Sequence, residues 1–350
     1  MRPTEGPRPK SATLYHPVMD SIRVTGGNPL SGRVKAHGAK NAVLKHMVAM
    51  LLAPGHYRLD NVPGILDVDI MGEVLDHVGA RCARQGTVVE VDVPELLNPE
   101  APLELVRKMR ASILILGALL ARVGSARVAL PGGDDFGSRP IGMHLAGRVQ
   151  MGAKVELRHG VLEASAPNGL RGTEVFLEFP SVGATENLLL AAVLAKGRSV
   201  IGNAAREPEL ADLASFLNAM GAKVDGAGTS TIEVMGVTSL GPADHTVVAD
   251  RLEAGTYALA AAATGGDITV EGCDPNFLRM ELRKMEAAGC SVERGEDWFS
   301  VVGPERPEPL DIATLPFPGF HTDMHPQRVA FLTRASGTSI VTENGYAARV

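Results

Sequence analysis

The chain has 350 residues, 45% of them hydrophobic, and a formal net charge of −6. It is therefore long enough for two globular domains. The mild acidic excess provides no electrostatic attraction to nucleic acid or to an anionic membrane, so we expect neither as a partner. The three cysteines, Cys82, Cys273 and Cys290, lack metal-ligand spacing, which predicts reduced thiols in a cytoplasmic protein and no metal site.

The N-terminal segment, residues 1–18, carries four prolines and no apolar cluster. This composition is not that of a signal peptide and predicts a flexible tail. The longest apolar stretch, from Ile113 to Ala121, is too short to cross a bilayer and predicts a core helix.

One unit of about 70 residues recurs after the tail. The second helix of each unit is predicted to end at a glycine, and these glycines recur every 68 to 73 residues: Gly79, Gly152, Gly221 and Gly289. An earlier helix of each unit is predicted to end at another glycine, in the same phase: Gly55, Gly124, Gly197, Gly265 and Gly337. Two independent marks in phase indicate an internal repeat.

The second unit illustrates the predicted order of helix, strand, loop, helix and hairpin. Its elements are a helix over Ser112–Arg122, a strand over Ala126–Leu130, a loop through Arg139, a helix ending at Gly152, and strands Lys154–Arg158 and Val161–Ser165 joined by His159 and Gly160.

The two helices of a unit differ in character. First helices such as Asn187–Ala195 are apolar nearly all round, whereas second helices such as Leu210–Met220 are amphipathic. Buried helices inside and one-sided sheets outside predict α/β domains with central helices, each closed by three units. A fifth unit begins near Pro318, so we expect the second domain to be C-terminally incomplete, although a naturally shorter protein remains an alternative.

Candidate polar groups gather at the starts of the first helices. These stretches are His37–Asn41, Lys108–Ser112, Pro180–Thr185, Asp250–Glu253 and His321–Met324. If the helix starts converge, their backbone N–H groups together with Lys40, Arg110 and Arg251 form an anion site. The alternative is that these residues only cap helices. The loop Leu130–Pro140, with three glycines and two acids, is either an ordered turn or a lid over a substrate.

Several of these stretches also carry a family resemblance. They are Ala36–Lys45, Lys108–Ile115, Leu130–Pro140, Pro180–Asn187, Asn203–Glu209, Asp250–Thr256 and Thr322–Met324. Together they resemble the UDP-N-acetylglucosamine 1-carboxyvinyltransferases, which are enolpyruvyl transferases of peptidoglycan synthesis.

The resemblance implies a two-domain inside-out α/β barrel built of repeated βαβαββ-like units, the enolpyruvate transferase fold. The N-terminal strand of the family belongs with the C-terminal half, which implies chain crossings near residues 39–40 and 248–250. The implied domains are residues 40–248, complete, and residues 19–39 plus 249–350, incomplete.

The family reaction moves the enolpyruvyl group of phosphoenolpyruvate to the 3-hydroxyl of UDP-N-acetylglucosamine and releases phosphate, without a cofactor. Addition followed by elimination needs an acid, a base and a clamp for charged groups. The match implies Asp134 as the acid, Asp323 as the base and Lys40 as a catalytic and phosphoenolpyruvate-binding residue. The other implied substrate contacts are Asn41, Arg110, Arg139, Pro140, Ile141, Gly142, Met143, Ser181, Val182, Gly183, Gly345 and Arg349.

The chain departs from the family pattern in three places. Asp134 stands where most members have cysteine, so we predict resistance to fosfomycin, which alkylates that cysteine. Gly142 stands where an aspartate is common, and the family arginines of the last unit are not in this sequence. A non-catalytic paralogue, or a truncated product, that binds UDP-sugar is one alternative. A 5-enolpyruvylshikimate-3-phosphate synthase is another, although its glycine-asparagine-alanine-glycine-threonine motif is not found.

Overall fold

The computed structural model describes residues 22–101, 103–106, 109–130 and 141–346, and only the backbone of Leu103, Arg110 and Ser112. The strands of these residues are β1 (Ser31–Lys35), β2 (Gly55–Asp60), β3 (Arg81–Gln85), β4 (Val88–Val93), β5 (Ser125–Ala129), β6 (Lys154–Arg158), β7 (Val161–Ser165), β8 (Glu174–Phe176), β9 (Arg198–Gly202), β10 (Val224–Asp225), β11 (Thr231–Met235), β12 (His245–Thr246), β13 (Asp267–Glu271), β14 (Ser291–Arg294), β15 (Trp298–Val302), β16 (Ile312–Ala313) and β17 (Val341–Thr342). The α-helices are α1 (Lys40–Met50), α2 (Leu66–His77), α3 (Leu103–Val106), α4 (Ile115–Val123), α5 (Gly142–Gln150), α6 (Val182–Ala192), α7 (Pro208–Ala219), α8 (Arg251–Thr264), α9 (Arg279–Ala287) and α10 (His325–Leu332). Short 3₁₀ helices cover Arg110–Leu114, Pro275–Leu278 and Thr322–Met324.

The predicted repeat is confirmed. The order helix, strand, helix, strand, strand begins at α1, α4, α6 and α8, and a further first helix, α10, follows. The hairpin of the second unit has the predicted strands, and its turn residues His159 and Gly160 have φ values of 48° and 79°. Two consecutive left-handed residues are what a tight two-residue hairpin turn requires.

Helix ends follow the glycine pattern only in part. Helices α4 and α8 end at Gly124 and Gly265, both in the left-handed conformation, which glycine adopts without a Cβ penalty. Helix α1 instead stops at Met50, several residues before Gly55, because the N–H of Leu51 donates to the carbonyl of Val48 and tightens the last turn. The predicted helix over residues 112–122 is likewise divided into a 3₁₀ turn followed by α4.

The sheets exchange their leading strands across the chain. In the sheet ordered β1-β13-β15-β14, β1 runs parallel to β13, although the two strands are far apart in sequence. In the sheet ordered β12-β2-β4-β3, β12 runs parallel to β2 in the same way. The remaining sheets are β10-β11-β9-β8, β5-β7-β6 and the pair β16-β17. The two exchanges require the chain to cross twice, close to α1 and to α8.

The buried apolar side chains form two clusters. The first runs from Ala39 to Val247, and the second joins Ala36 to residues between Ala254 and Leu332. First helices lie inside these clusters: α4 packs on α6, and α8 packs on α10. The apolar first helices are therefore central and the sheets are peripheral, as the helix compositions predict.

Candidate active site

The two chain crossings lie side by side. Gly38 forms an antiparallel bridge with Ala249, and the N–H of Ala39 donates to the carbonyl of Val248 at 2.7 Å. A Cβ on Gly38 would overlap the carbonyl oxygen of Asn61, so only glycine fits this approach. The crossings therefore bring the starts of α1 and α8 together.

Asp250 joins the two helix starts. Its Oδ1 accepts hydrogen bonds from the N–H groups of Leu252 (2.8 Å) and Glu253 (3.1 Å), which caps α8. Its Oδ2 accepts from the N–H of Lys40 at 3.1 Å. Burial raises the pKa of the Asp250 carboxyl, and these hydrogen bonds oppose the rise.

Lys40 carries an accessible charge at this junction. Its Nζ forms an ion pair with Asp67 at the start of α2, and its side chain is 52% exposed. Asn41 follows it in the first turn of α1, where the carbonyl of Asn41 accepts from Lys45 Nζ at 2.7 Å. A cation beside a helix start is suited to an anionic ligand.

Arg251 has a buried counter-ion instead of open solvent. Its side chain is 3% exposed, and its Nε lies 2.9 Å from Glu209 Oε1 at the start of α7. The guanidinium also sits over the ring of Phe317. Arg251 is one of the three cations expected to form an anion site. Its charge is instead neutralised by Glu209 in an ion pair between α7 and α8.

Buried carboxyls surround this ion pair, and the sequence patterns assigned them no role. Burial raises the pKa of Glu207 and Glu281, and raises that of Glu186 to about 7 even though Lys45 Nζ lies 3.6 Å away. The sequence did offer one indication of these buried charges, a charged residue within a mostly apolar first helix. Lys45 in α1 and Glu186 in α6 are such residues. The pKa of about 7 makes the Glu186 carboxyl able to donate a proton near neutral pH.

A second group of predicted residues gathers where α5 meets α6. Ile141 packs on the first apolar cluster, and Gly142 and Met143 open α5. Ser181 caps α6, with its Oγ accepting from the N–H of Ala184 at 3.3 Å, so Val182 and Gly183 form the first turn. The helix starts approach each other closely, since a Cβ on Gly183 would lie 3.1 Å from His144 in α5.

A buried polar network supports this meeting point. The Asn187 amide contacts His144 Nδ1 at 2.9 Å and donates to the carbonyl of Ile113 at 3.3 Å. Arg148 donates to the Asn187 side chain and to the carbonyl of His144. Burial lowers the pKa of Arg148 to about 9. The network joins α5, α6 and the 3₁₀ turn before α4.

A third group surrounds Asp323. This residue lies in the 3₁₀ helix that packs against α8, and its N–H donates to His321 Nδ1 at 3.1 Å. The neighbouring Thr322 donates to Glu343 at 2.8 Å, and Glu343 accepts from the N–H of Gly345 at 2.6 Å. The structure therefore brings the predicted residues Asp323 and Gly345 into one group. The side chain of Asp323 is 36% exposed and that of His321 is 15% exposed.

Other predicted site residues lie outside the described residues: Asp134, Arg139, Pro140 and Arg349. Arg110 begins the 3₁₀ helix that packs against α1 and α6, and its side chain is not described. Among the described residues, His46, Asp212 and His245 form a group able to hold a metal ion, which no sequence motif indicated. Across these same ranges, no helix is long and apolar enough to cross a membrane.

Comparison with known proteins identifies the family. Residues 24–347 match the family model described as EPSP synthase (3-phosphoshikimate 1-carboxyvinyltransferase). The UDP-N-acetylglucosamine 1-carboxyvinyltransferase of Corynebacterium jeikeium is 52% identical over 332 residues, which are 95% of this chain and 79% of that protein. The enzyme of the same name from Mycobacterium leprae is 51% identical over 326 residues, 93% of this chain and 78% of that protein. The chain belongs to the UDP-N-acetylglucosamine 1-carboxyvinyltransferase family.

Solved structures support the same fold. The enolpyruvyl transferase NikO from Streptomyces tendae matches with a TM-score of 0.81 and 22% identity, covering 91% of this chain and 76% of that one. EPSP synthase from Acinetobacter baumannii matches with a TM-score of 0.65 and 18% identity, covering 90% and 74%. The enolpyruvate transferase fold predicted for this family member is confirmed.

Proposed function

We propose that this family member transfers the enolpyruvyl group of phosphoenolpyruvate to the 3-hydroxyl of UDP-N-acetylglucosamine, releasing phosphate, in the first committed step of peptidoglycan synthesis. The observation that carries the proposal is 52% identity over 95% of the chain to a relative of that name. Relatives at this identity do not favour a non-catalytic paralogue or a shikimate-pathway enzyme. The proposal includes a cytoplasmic location, which the free cysteines Cys82, Cys273 and Cys290 suit.

The proposed reaction is an addition followed by an elimination. Asp134 donates a proton to the methylene carbon of phosphoenolpyruvate while the 3-hydroxyl oxygen attacks C2 and Asp323 takes the hydroxyl proton. The tetrahedral intermediate then expels phosphate, which leaves with the proton held by Asp323, and its new methyl group returns a proton to Asp134, which restores the double bond. Lys40 and Asn41 hold the anionic groups of phosphoenolpyruvate.

The UDP-sugar is assigned to the meeting point of α5 and α6. Ser181 lies at the start of α6, where Val182 and Gly183 present backbone N–H groups, and α6 is long enough for its dipole to favour phosphate there. Met143 and Ile141 provide apolar surface beside it. Arg110, Arg139, Pro140, Gly142 and Arg349 complete the proposed contacts.

The proposal assigns the two substrates to a cleft between two domains. Residues 40–248 form one domain, and residues 19–39 plus 249–350 form the other. The two separate apolar clusters and the exchanged leading strands support this division. Asp323 then reaches the sugar from the second domain, while Lys40 stands at the crossing.

Phosphate release from phosphoenolpyruvate, with and without UDP-N-acetylglucosamine, tests the proposal. We expect release only with the UDP-sugar, and a loss of about 10²–10⁴-fold in turnover for Asp323→Asn, since that is the usual contribution of a general base. The matched control is Asp267→Asn, an exposed aspartate on β13. No UDP-sugar-dependent release from folded protein would reject the activity while leaving the family membership intact.

A further inference from the structure

The side chains of His46, Asp212 and His245, from three separate elements, bring their donor atoms close together near the chain crossing. His46 Nε2 of α1 lies 3.3 Å from Asp212 Oδ2 of α7, and His245 Nε2 of β12 lies 2.8 Å from Asp212 Oδ1. All three donor atoms lie within 4.8 Å of one another. None of these residues belongs to the site proposed for catalysis.

His46 is an unusual occupant of its helix position. Its side chain is fully buried, and neither ring nitrogen makes a hydrogen bond of good geometry, although Nε2 lies 3.3 Å from Asp212 Oδ2. A buried polar group without a partner costs free energy, so its retention calls for an explanation.

The surroundings hold the three groups in place. Asp212 Oδ2 also accepts from the N–H of Val248 at 3.1 Å, which orients the carboxylate. The ring of Phe216 stands edge-on to His46, with ring centroids 5.3 Å apart, and lies 5.3 Å from His245. The Asp212 and His245 side chains are 12% and 14% exposed, which leaves a route from solvent.

We propose that His46, Asp212 and His245 bind a first-row divalent cation of the zinc type. Two imidazole nitrogens and one carboxylate oxygen are the donors that such ions prefer, and three protein ligands leave a fourth position for water. Tetrahedral ligands at Zn–N and Zn–O distances of about 2.1 Å stand about 3.4 Å apart. The distance from His46 Nε2 to Asp212 Oδ2, 3.3 Å, already meets this spacing. His245 Nε2 lies 2.8 Å from Asp212 Oδ1, so His245 must withdraw slightly and bind the ion through an unprotonated Nε2.

The position of the site indicates a structural role. Its ligands lie on α1, α7 and β12, and Asp212 holds the N–H of Val248, whose carbonyl accepts from Ala39 at the other crossing. A bound ion therefore ties the crossing to two helices of the first cluster. Because the ion binds the folded state and not the unfolded one, it raises the melting temperature by mass action.

Cobalt(II) and zinc(II) titrations of the full chain, freed of any purification tag and of chelator, test the site. We expect visible ligand-field absorption of a low-symmetry Co²⁺ site with N and O ligands, competed away by Zn²⁺, and a melting temperature that rises with Zn²⁺. In His46→Leu we expect Zn²⁺ affinity at least about tenfold lower, consistent with the loss of one ligand. This variant exchanges a buried imidazole for an apolar side chain and should remain folded.

A matched control is His56→Gln. His56 forms an exposed pair with Asp92 at 2.8 Å, without a third ligand among the described residues, so its loss should leave the cobalt spectrum unchanged. A second variant, His245→Gln, should lose the spectrum as His46→Leu does. An unchanged spectrum and affinity in His46→Leu, or no cobalt absorption and no zinc-dependent melting shift in the parent chain, would overturn the proposal.

Discussion

Buried charged residues determine much of the behaviour of this protein at the scale of single side chains. Glu186 and Lys45 are buried charged residues in mostly apolar helices, α6 and α1, and each is the partner of the other. The sequence shows that such residues are out of place, but not which partner compensates them, because the partner comes from another repeat unit. The sequence also shows only a buried position for His46, since its neighbours arrive from α7 and β12.

Glu186 makes stability depend on pH. Its pKa is about 7 in the folded protein, against 4.5 for the unmodified group, so the folded state holds a proton that the unfolded chain releases between these values. Its contribution is fully present below about pH 4.5 and is lost as pH rises through about 7. In Glu186→Gln we expect the fall in unfolding free energy between pH 5 and pH 8 to shrink by at most about 3 kcal/mol.

Urea denaturation at the two pH values measures this difference. Glu293→Gln, an exposed residue on β14, provides the control and should follow the parent chain. A Glu186→Gln variant whose pH dependence matches the parent would show that the carboxyl is ionised throughout this range.

Thiol chemistry gives a second prediction for single residues. Burial raises the pKa of Cys82, Cys273 and Cys290 to about 11, 12 and 11, so the native protein holds no appreciable thiolate at neutral pH. With Asp134 in place of the family cysteine, we expect fosfomycin neither to inactivate the enzyme nor to label it. Activity assays and intact-mass spectrometry measure both, with Asp134→Cys expected to become sensitive. Rapid inactivation with a covalent adduct at Asp134 would contradict the prediction.

At the scale of elements, a buried ion pair joins two helices that lie on opposite sides of the chain crossings. Arg251 and Glu209 join α8 to α7, with Glu281 close enough for its charge to act on Arg251. Removing one partner of such a pair leaves an uncompensated buried charge. The pair links the two apolar clusters, and removing one of its partners should therefore cost more than removing one partner of an exposed ion pair.

A double-mutant cycle tests this coupling. We expect Arg251→Met to lower the free energy of unfolding by about 3–5 kcal/mol, and the double variant Arg251→Met/Glu209→Gln to recover part of that loss because no lone carboxylate remains. Chemical denaturation measures each step. The exposed pair Arg198–Glu233 on β9 and β11 is the control, and its removal should have little effect. A double variant no more stable than Arg251→Met would show that the carboxylate is not the source of the loss.

The elements themselves were largely predictable from the sequence. The glycine spacing and the alternating strand of the second unit predicted the repeat and its hairpin, because both depend on local backbone preferences. The exchange of β1 and β12 followed only from the family resemblance, since strand partners far apart in sequence leave no local signal. Asp323 and Gly345 were predicted as site residues only from the family resemblance. Glu343, whose side chain links their segments, was not predicted because it belongs to no sequence motif.

At the scale of the whole molecule, two apolar clusters share one junction. The crossing segments meet at Gly38 and Ala249, and the starts of α1 and α8 share Asp250. Any movement of one cluster relative to the other must therefore pass through the backbone that carries Lys40. This arrangement places the cation proposed to bind phosphoenolpyruvate at the point where such a movement would be sensed.

The strand exchange also determines when each sheet can form during synthesis of the polypeptide. Arg33 of β1 pairs with Glu271 at the end of β13, 238 residues later in the chain. A ribosome adds that many residues in roughly 10–50 s at about 5–20 residues per second. Strand β2 similarly waits for β12 before its sheet is complete. Neither sheet can close from its own half of the chain, so each presents an open edge to the cell until late in synthesis. The first half of the chain therefore cannot complete these two sheets before β12 and β13 have been synthesised.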